Sequence, residues 1–439
     1  MAEDTLEARQ RRHVLSTWTP QAAASPVHIA SGDGAVFYDD HGNAWLDFES
    51  QVFNANAGHG QQAIIEAIQQ QASTLAVAHP AAVFEAKARL GELLTDITPG
   101  DIDAFFLCLS GAEAVENAYK IARMITGRQK VVARRRSYHG ASMGALSLTG
   151  DWRRWPAEPG LWGVARTEDP YCYRCPFGLE HPACGLRCAS HLEHVIEMEG
   201  PENIAAVFME GVTGANGGFI PPPGYWPRIR EICDRHGILL VADEVFTGFG
   251  RTGKWFAVDH WGVVPDLITM AKGITGGYAP LGAVGMRPHL ARHFDDATLW
   301  CGLTSYAHPV SCAAAVAAIG VYQDQGLIAH AAAMGDVLGE GFATLKARHP
   351  LIGDARHLGL LGTLELVADR DTRAPLVGYA QNPAPGSPLA RLKAGLKKRH
   401  VHALVRGNTL MVTPPLCITE TQLQDGLARI DAALSEAAE

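Results

Sequence analysis

The sequence predicts an α/β protein: a large domain with a mostly parallel central sheet, and a smaller α+β domain. Two observations carry this. Short apolar runs alternate with longer amphipathic ones through the middle of the 439-residue chain, the pattern of strands covered by helices on both faces. The pattern then changes near residue 330, where long helical stretches surround only short strand-like runs. The length suffices for a large core and two domains.

In chain order, VFYDDHGNAWLDF (36–48), with its turn at Asp40–Asn43, reads as a hairpin able to join the smaller domain. AFFLCLS (104–110) reads as a strand and GAEAVENAYKIARMITG (111–127) as a helix. KVVARRR (130–136), AAVFME (205–210), GILLVADEV (237–245), DLITMAK (266–272) and LGAVGM (281–286) read as further strands. YWPRIREICDRH (225–236) is an amphipathic helix leading into one of them. Past 330, HAAAMGDVLGEGFATLKARH and LQDGLARIDAALSEA read as helices, GLLGTLELV and LMVTPPL as strands. The expected division is residues 1–60 as an N-terminal segment contributing to the small domain and the active site, 61–329 as the large domain, and 330–439 as the small one.

Composition narrows the function. Hydrophobic residues make up 47% and charged residues 19% of the chain, as in a well-packed globular enzyme. A net charge of −9 supplies no basic footprint for nucleic acid. No apolar run has the length of a membrane span, and MAEDTLEARQRRHVLSTW lacks the apolar stretch of a signal peptide. Nine cysteines, without an export signal, point to a reducing cytoplasm.

The stretch GFGRTGKW (248–255) satisfies G-x-G-x-x-G and most of the P-loop pattern. A P-loop needs Ser or Thr after its lysine to hold Mg²⁺, and here Trp255 follows Lys254. A dinucleotide fold needs an acidic residue at the tip of the next strand; Asp266 precedes its strand. The simplest expectation is a surface loop whose glycines permit tight turns. The flanking residues are more informative. VADEV ends a strand in carboxylates, TMAKGITGGYAPLGA puts Lys272 at the end of another, and Ser110-Gly111-Ala112 opens a helix. Taken singly these are a cap, a solvated lysine and an N-cap. Together they match the needs of a pyridoxal phosphate enzyme. An amine must form a Schiff base with the cofactor aldehyde, an Asp must keep the pyridine nitrogen protonated, and a helix N-terminus must receive the phosphate.

With those residues in place, the chain resembles the class III aminotransferases, fold-type-I pyridoxal phosphate enzymes. The likeness runs from HVLSTWTPQ to MVTPPLCIT and is most specific in VADEVFTGFGRTGKWFAVDHWGVVPDLITMAKGITGGYAPLGAV. It implies pyridoxal 5'-phosphate as cofactor, Lys272 as the cofactor-bound lysine and general base, and Asp243 as partner of the ring nitrogen. It places Val245 and Tyr138 on the two ring faces, with His139 beside Tyr138 in the same SYHG motif. Gly111 and Ala112 would contact the phosphate, and Thr304 would reach the phosphate of a second subunit. The implied assembly is a homodimer or a dimer of dimers.

STWTPQ and DFESQVFNANAGHG resemble the omega-amino acid and taurine:pyruvate branch. Trp18, Val52 and Phe53 become candidate pocket walls, for which ordinary packing is the alternative. Ornithine- and 4-aminobutyrate-type members carry an Arg where this chain has Met411. Arg406, in LVRGNTLMVTPPL, is the candidate carboxylate ligand, or else an ion-pair partner at the surface. Glu210 is a candidate gate that would pair with Arg406. The reaction implied moves an amino group from an omega-amino acid, a taurine-like compound or an amine to pyruvate or another 2-oxo acid. A decarboxylase or aminomutase of the same fold would use the same Lys, Asp and Tyr.

YCYRCPFGLEHPACGLRC gathers Cys172, Cys175, Cys184 and Cys188 near His181 and His191. C-x2-C occurs in zinc and iron–sulfur sites, whereas plain thiols or a disulfide need no metal. The expectation is a structural loop near the active-site entrance or the dimer interface, with no metal assigned. A catalytically silent interaction protein built around this loop is the remaining alternative, and the presence of both Lys272 and Asp243 speaks against it.

Overall fold

The computed structural model describes residues 5–439. Its largest sheet has seven strands: β4 (Ala104–Cys108), β5 (Lys130–Arg134), β6 (Val164–Thr167), β7 (Ile204–Glu210), β8 (Leu239–Asp243), β9 (Leu267–Met270) and β10 (Gly282–Met286). They lie in the order β4-β10-β9-β8-β7-β5-β6. β10 runs antiparallel to β4 and β9, while β5, β6, β7, β8 and β9 pair parallel.

Both faces of this sheet are covered, which is why its central strands are apolar through most of their length. All seven residues of β7 are buried. Val207 and Met209 join one apolar cluster and Ala206 and Phe208 the other, across the sheet. The helix Gly111–Thr126 follows β4 at once, because the Ser110 side chain accepts from the Glu113 N–H and caps its first turn. It stops at Gly127, whose φ of 68° is the left-handed stop that glycine tolerates.

A second sheet joins the chain ends. β1 (Ser31–Asp33), β2 (Val36–Tyr38) and β3 (Ala44–Asp47) form a meander, and β3 pairs in parallel with β14 (Val401–His402). The third sheet contains β11 (Ile352–Leu358), β12 (Leu361–Asp369), β16 (Thr409–Val412) and β15 (Leu404–Arg406), with β13 (Ala374–Pro375) on β12.

The strands expected at 237–245 and 266–272 end earlier, at Asp243 and Met270. The helices Gln62–Thr74, Glu85–Ile97 and Pro309–Asp324 were not expected. The last is apolar on nearly every side and buried against the other two, so no amphipathic stripe marks it. Among the described residues no single helix is long and apolar enough to cross a membrane.

Candidate active site

The carboxyl ends of adjacent strands β8 and β9 deliver the two central groups. Asp243 is the last residue of β8 and is buried. One carboxylate oxygen accepts from the Val245 N–H and the Thr269 hydroxyl, each at 3.1 Å, and the other lies 2.6 Å from His139 Nδ1. Its neighbour Glu244 has a different task. It accepts from Thr247 and from the N–H groups of Ala257 and Val258, and burial raises its pKa to about 7.

Lys272 lies two residues past β9, with a left-handed φ of 49°. That conformation is uncommon outside glycine and concentrates at functional sites. Its ammonium stands 5.4 Å from the ring centres of both Phe53 and Phe246. Burial lowers its pKa to about 8, against the opposing pull of Asp243 and Glu210.

Gly111 and Ala112 begin the helix that faces this pair. A Cβ on Gly111 would come within 2.6 Å of Val245 Cγ1, so only glycine lets Val245 approach the helix N-terminus. Tyr138 and His139 follow β5; the Tyr138 N–H donates to Glu210 at 3.4 Å and the His139 N–H to Thr149 at 2.9 Å. His139 Nε2 is buried without a partner.

Asp243, Lys272, Gly111, Ala112, Val245, Tyr138, His139, Glu210 and Phe246 line one cavity of about 730 Å³, together with Trp18, Val52, Phe53 and Arg406. Trp18 and Val52 are exposed at its rim and Phe53 is buried. Ser50, Gln51, Val52 and Phe53 all have φ between 48° and 63°, a left-handed turn without glycine that costs about 1–2 kcal/mol per residue. Arg251, from the glycine loop, holds it. Its guanidinium is fully buried and donates to Ser50 Oγ (3.2 Å), Asn56 Oδ1 (2.9 Å) and the carbonyls of Pro414 and Leu360. The loop is therefore not at the surface, as its glycines suggest, but a buried clamp: a Cβ on Gly250 would meet Ile328 at 2.5 Å.

The pairing expected between Glu210 and Arg406 does not form. Arg134, on the strand beside β7, takes Glu210 at 3.6 Å, and burial raises the Glu210 pKa to about 7. Arg406 has no side-chain hydrogen bond or ion pair among the described residues. Burial, and then the charge of Arg153, push its pKa down. Arg153 was not singled out in the sequence, where it sits in the irregular stretch DWRRW. Its guanidinium centre lies 3.6 Å from the Tyr138 ring centre and is paired with Asp151 at 2.5 Å. Phe246 is a second lining residue that sequence reading passed over. Met411 is buried with Phe53 and Phe246 in a small apolar cluster, so it packs with two residues of the cavity wall.

Thr304 lies on an exposed turn and does not line the cavity of its own chain. Cys172, Cys175, Cys184 and Cys188 converge with His181 on one narrow cavity, all nine cysteines are free, and burial pushes the Cys188 thiol up to about 12. Among the described residues no group of three or more His, Cys, Asp or Glu is arranged to hold a metal ion. Tyr171 and Arg174 of this loop line a second cavity that also touches Trp18 and Arg406, which sets the loop beside the active-site entrance.

A lysine and an aspartate at adjacent strand ends, facing a glycine-started helix, define a fold-type-I pyridoxal phosphate enzyme. The residues fit that cofactor: a carboxylate fixed by three donors, a helix mouth without a side chain, and a buried imidazole nitrogen free of protein partners. The chain belongs to the class III aminotransferases, whose family model, Aminotransferase class-III, matches residues 18–434, and its cofactor is pyridoxal 5'-phosphate. It is 34% identical to a taurine–pyruvate aminotransferase of Bilophila wadsworthia, over 98% of this chain and 97% of that one. It is 33% identical to a leucine/methionine racemase of Thermococcus litoralis, over 94% and 92%. The structure of taurine:2-oxoglutarate aminotransferase from Bifidobacterium kashiwanohense, in complex with PLP and glutamate, superposes with a TM-score of 0.93 at 35% identity, covering 99% of this chain and 98% of that one.

Proposed function

We propose that this aminotransferase takes the amino group of an omega-amino acid, a taurine-like donor or a simple amine and passes it to pyruvate or another 2-oxo acid. The supporting observation is the pair Arg153 and Arg406 on one cavity wall. Arg406 has no carboxylate partner of its own, and a half-buried guanidinium in that state favours an anionic ligand. Asp151 neutralises Arg153 but leaves Arg406 available.

Bound pyridoxal phosphate supplies an electron sink that stabilises the carbanion formed at the substrate carbon. Asp243, held in one orientation by its donors, would keep the ring nitrogen protonated. Lys272 Nζ would move the proton released from the substrate carbon, and its lowered pKa lets the neutral amine exist near neutral pH. Val245 and Tyr138 would bracket the ring, His139 would steady Asp243, and the N–H groups of Gly111 and Ala112 would receive the phosphate. Phe53, Val52 and Trp18 shape the donor side. Thr304, exposed on its own chain, reaches the phosphate of a second subunit, so the working unit is a homodimer or a dimer of dimers. Nine free thiols support work in the cytoplasm.

The test is a pair of half-reactions followed by absorbance. Taurine, an omega-amino acid or a simple amine should bleach the enzyme's visible band, and pyruvate or 2-oxoglutarate should restore it. Inversion or decarboxylation of an amino acid with no need of a 2-oxo acid would overturn the proposal. Sedimentation should give a dimer or tetramer, and an active monomer would remove the role of Thr304.

A further inference from the structure

Away from the cofactor, a cavity of about 370 Å³ is lined by Arg135, Arg136, Arg154, Arg166 and Arg174, in a chain of net charge −9. Three of these cations are compensated. Arg135 meets Glu168 at 2.7 Å, Arg154 meets Glu158 at 2.8 Å, and Arg174 meets Glu365 at 3.3 Å. Glu365 is shared with Arg356 at 2.9 Å, so Arg174 holds only part of that charge. Asp169, also on the wall, faces Arg134 at 4.0 Å and accepts from the Arg136 N–H.

The guanidiniums of Arg136 and Arg166 form no ion pair with a carboxylate among the described residues, although the charge of Arg136 reaches Asp169 and that of Glu158 reaches Arg166. Arg166 donates to the carbonyls of Ser147 (2.5 Å) and Thr149 (3.0 Å) through one nitrogen, and another is buried without a partner. Arg136 donates to the Asn216 carbonyl at 3.1 Å and is wedged among the rings of Tyr171, Phe219 and Tyr379 at 5.4, 4.9 and 5.4 Å. Both guanidiniums are thus held in place before any ligand arrives, which reduces the entropy lost on binding. Burial and the charges of Arg154 and Arg135 bring the Arg166 pKa down to about 10, the direction expected of a cation short of counter-charge.

We propose that this cavity is a second anion site, built for one small tetrahedral oxyanion. Arg136 and Arg174 also line the cavity that reaches Trp18 and Arg406, so the ligand would sit on the approach to the active site. Two sources share this chemistry: free inorganic phosphate or sulfate, and the sulfonate of a donor such as taurine. Only the second source rests on the donor class proposed above.

The test is equilibrium dialysis of radiolabelled inorganic phosphate with enzyme already loaded with pyridoxal phosphate, so that the cofactor's own phosphate cup is filled. One phosphate per chain should bind. Arg166→Gln should weaken it by about tenfold or more, the loss expected for a charge-assisted contact. Arg135→Gln, at an exposed position, gives a second variant with little risk to folding and should weaken binding about threefold. Cofactor content and melting temperature show whether each variant is folded. Displacement by taurine assigns the site to the sulfonate, and no displacement assigns it to the inorganic anion. Absence of phosphate binding at millimolar concentration, or the same affinity in both folded variants as in wild type, would overturn the site. Neither result bears on the half-reactions, so this proposal and the donor assignment fail separately.

Discussion

His139 Nδ1 lies 2.6 Å from Asp243 Oδ2, and Thr269 and the Val245 N–H hold the other oxygen of the same carboxylate. The aspartate is therefore held in one orientation, with both oxygens engaged. Asp243→Asn should retain cofactor binding and lose about a thousandfold in kcat, because a neutral amide does not hold the ring nitrogen protonated. His139→Asn removes one of three donors and should cost about tenfold. Stopped-flow rates of the donor half-reaction check both; a near-normal rate for Asp243→Asn would give the proton to another group.

Lys272→Ala should abolish turnover and the visible band of the lysine-bound cofactor. The pH dependence follows from burial. With a pKa brought from 10.5 to about 8, the amine is half neutral near pH 8 and loses about tenfold in neutral fraction per unit below it. Cofactor uptake by the apoenzyme should follow that acid limb. The sign for stability is also set. The folded chain releases this proton before the unfolded one, so the burial penalty is absent above 10.5, grows as pH falls to 8, and is complete below. Its size is roughly 3 kcal/mol. Uptake rates with an acid limb near 10.5 would contradict the shift.

Gly111 and Val245 give a test that separates space from charge. A Cβ at residue 111 would press on Val245 Cγ1 at 2.6 Å. Gly111→Ala should raise the cofactor Kd about tenfold or more, by forcing the helix mouth and Val245 apart. Val245→Ala removes the opposing methyls, so the double variant should recover part of that loss. Failure of the second change to restore any affinity would mean that Gly111 matters through its backbone alone.

The parts legible in the sequence are those fixed by local pattern. Asp243 ends its strand, Lys272 follows the next by two residues, and the Ser110 cap marks the helix mouth that faces them, because apolar runs and caps are written in adjacent residues. What was not legible depends on contacts across the chain. The left-handed turn Ser50–Phe53 has no glycine to announce it. Its support is Arg251, about two hundred residues away, whose loop reads as surface turns until the helix Leu327–Arg348 is seen to cover it. Glu210 pairs with Arg134 because β5 and β7 are neighbours in the sheet, and Arg406 belongs to another sheet. Arg153 has no signal beyond its charge; only the folded stretch 150–157 brings it onto Tyr138.

Arg251 also predicts a stability change coupled to function. Arg251→Met would leave Ser50 Oγ, Asn56 Oδ1 and two carbonyls short of a donor in a buried place, a loss of about 3 kcal/mol or more. The melting temperature should fall by several degrees. The turn bearing Val52 and Phe53 should relax from its left-handed form, so KM for the donor should rise in the folded fraction at low temperature. A lower melting temperature with unchanged KM would show that the turn holds itself.

In the proposed reaction, Arg406 and Arg153, on one cavity, would decide how one pocket serves an anionic acceptor and a donor that lacks an alpha-carboxylate. A fixed, unpaired guanidinium would bind the first and be left buried without a partner by the second, at a cost of several kcal/mol. Glu210 is not the relief, since Arg134 occupies it. The carboxylates whose charge reaches Arg406 are Asp151 and Glu49, and Asp151 already pairs with Arg153. Glu49 already lies 3.6 Å from His402, so Arg406 would turn to share Glu49 or to the solvent when an amine binds, while Arg153 stays stacked on Tyr138. Arg406→Ala should raise KM for pyruvate about a hundredfold, the loss of a bidentate charge-assisted contact, and change KM for a simple amine little. Arg153→Ala should affect both half-reactions, because it also removes the support behind the Tyr138 ring and frees the Asp151 charge. Single-turnover measurements of each half-reaction separate the two residues. Equal effects of Arg406→Ala on both halves would make it a structural cation, and an acceptor-only effect of Arg153→Ala would transfer the carboxylate to that residue.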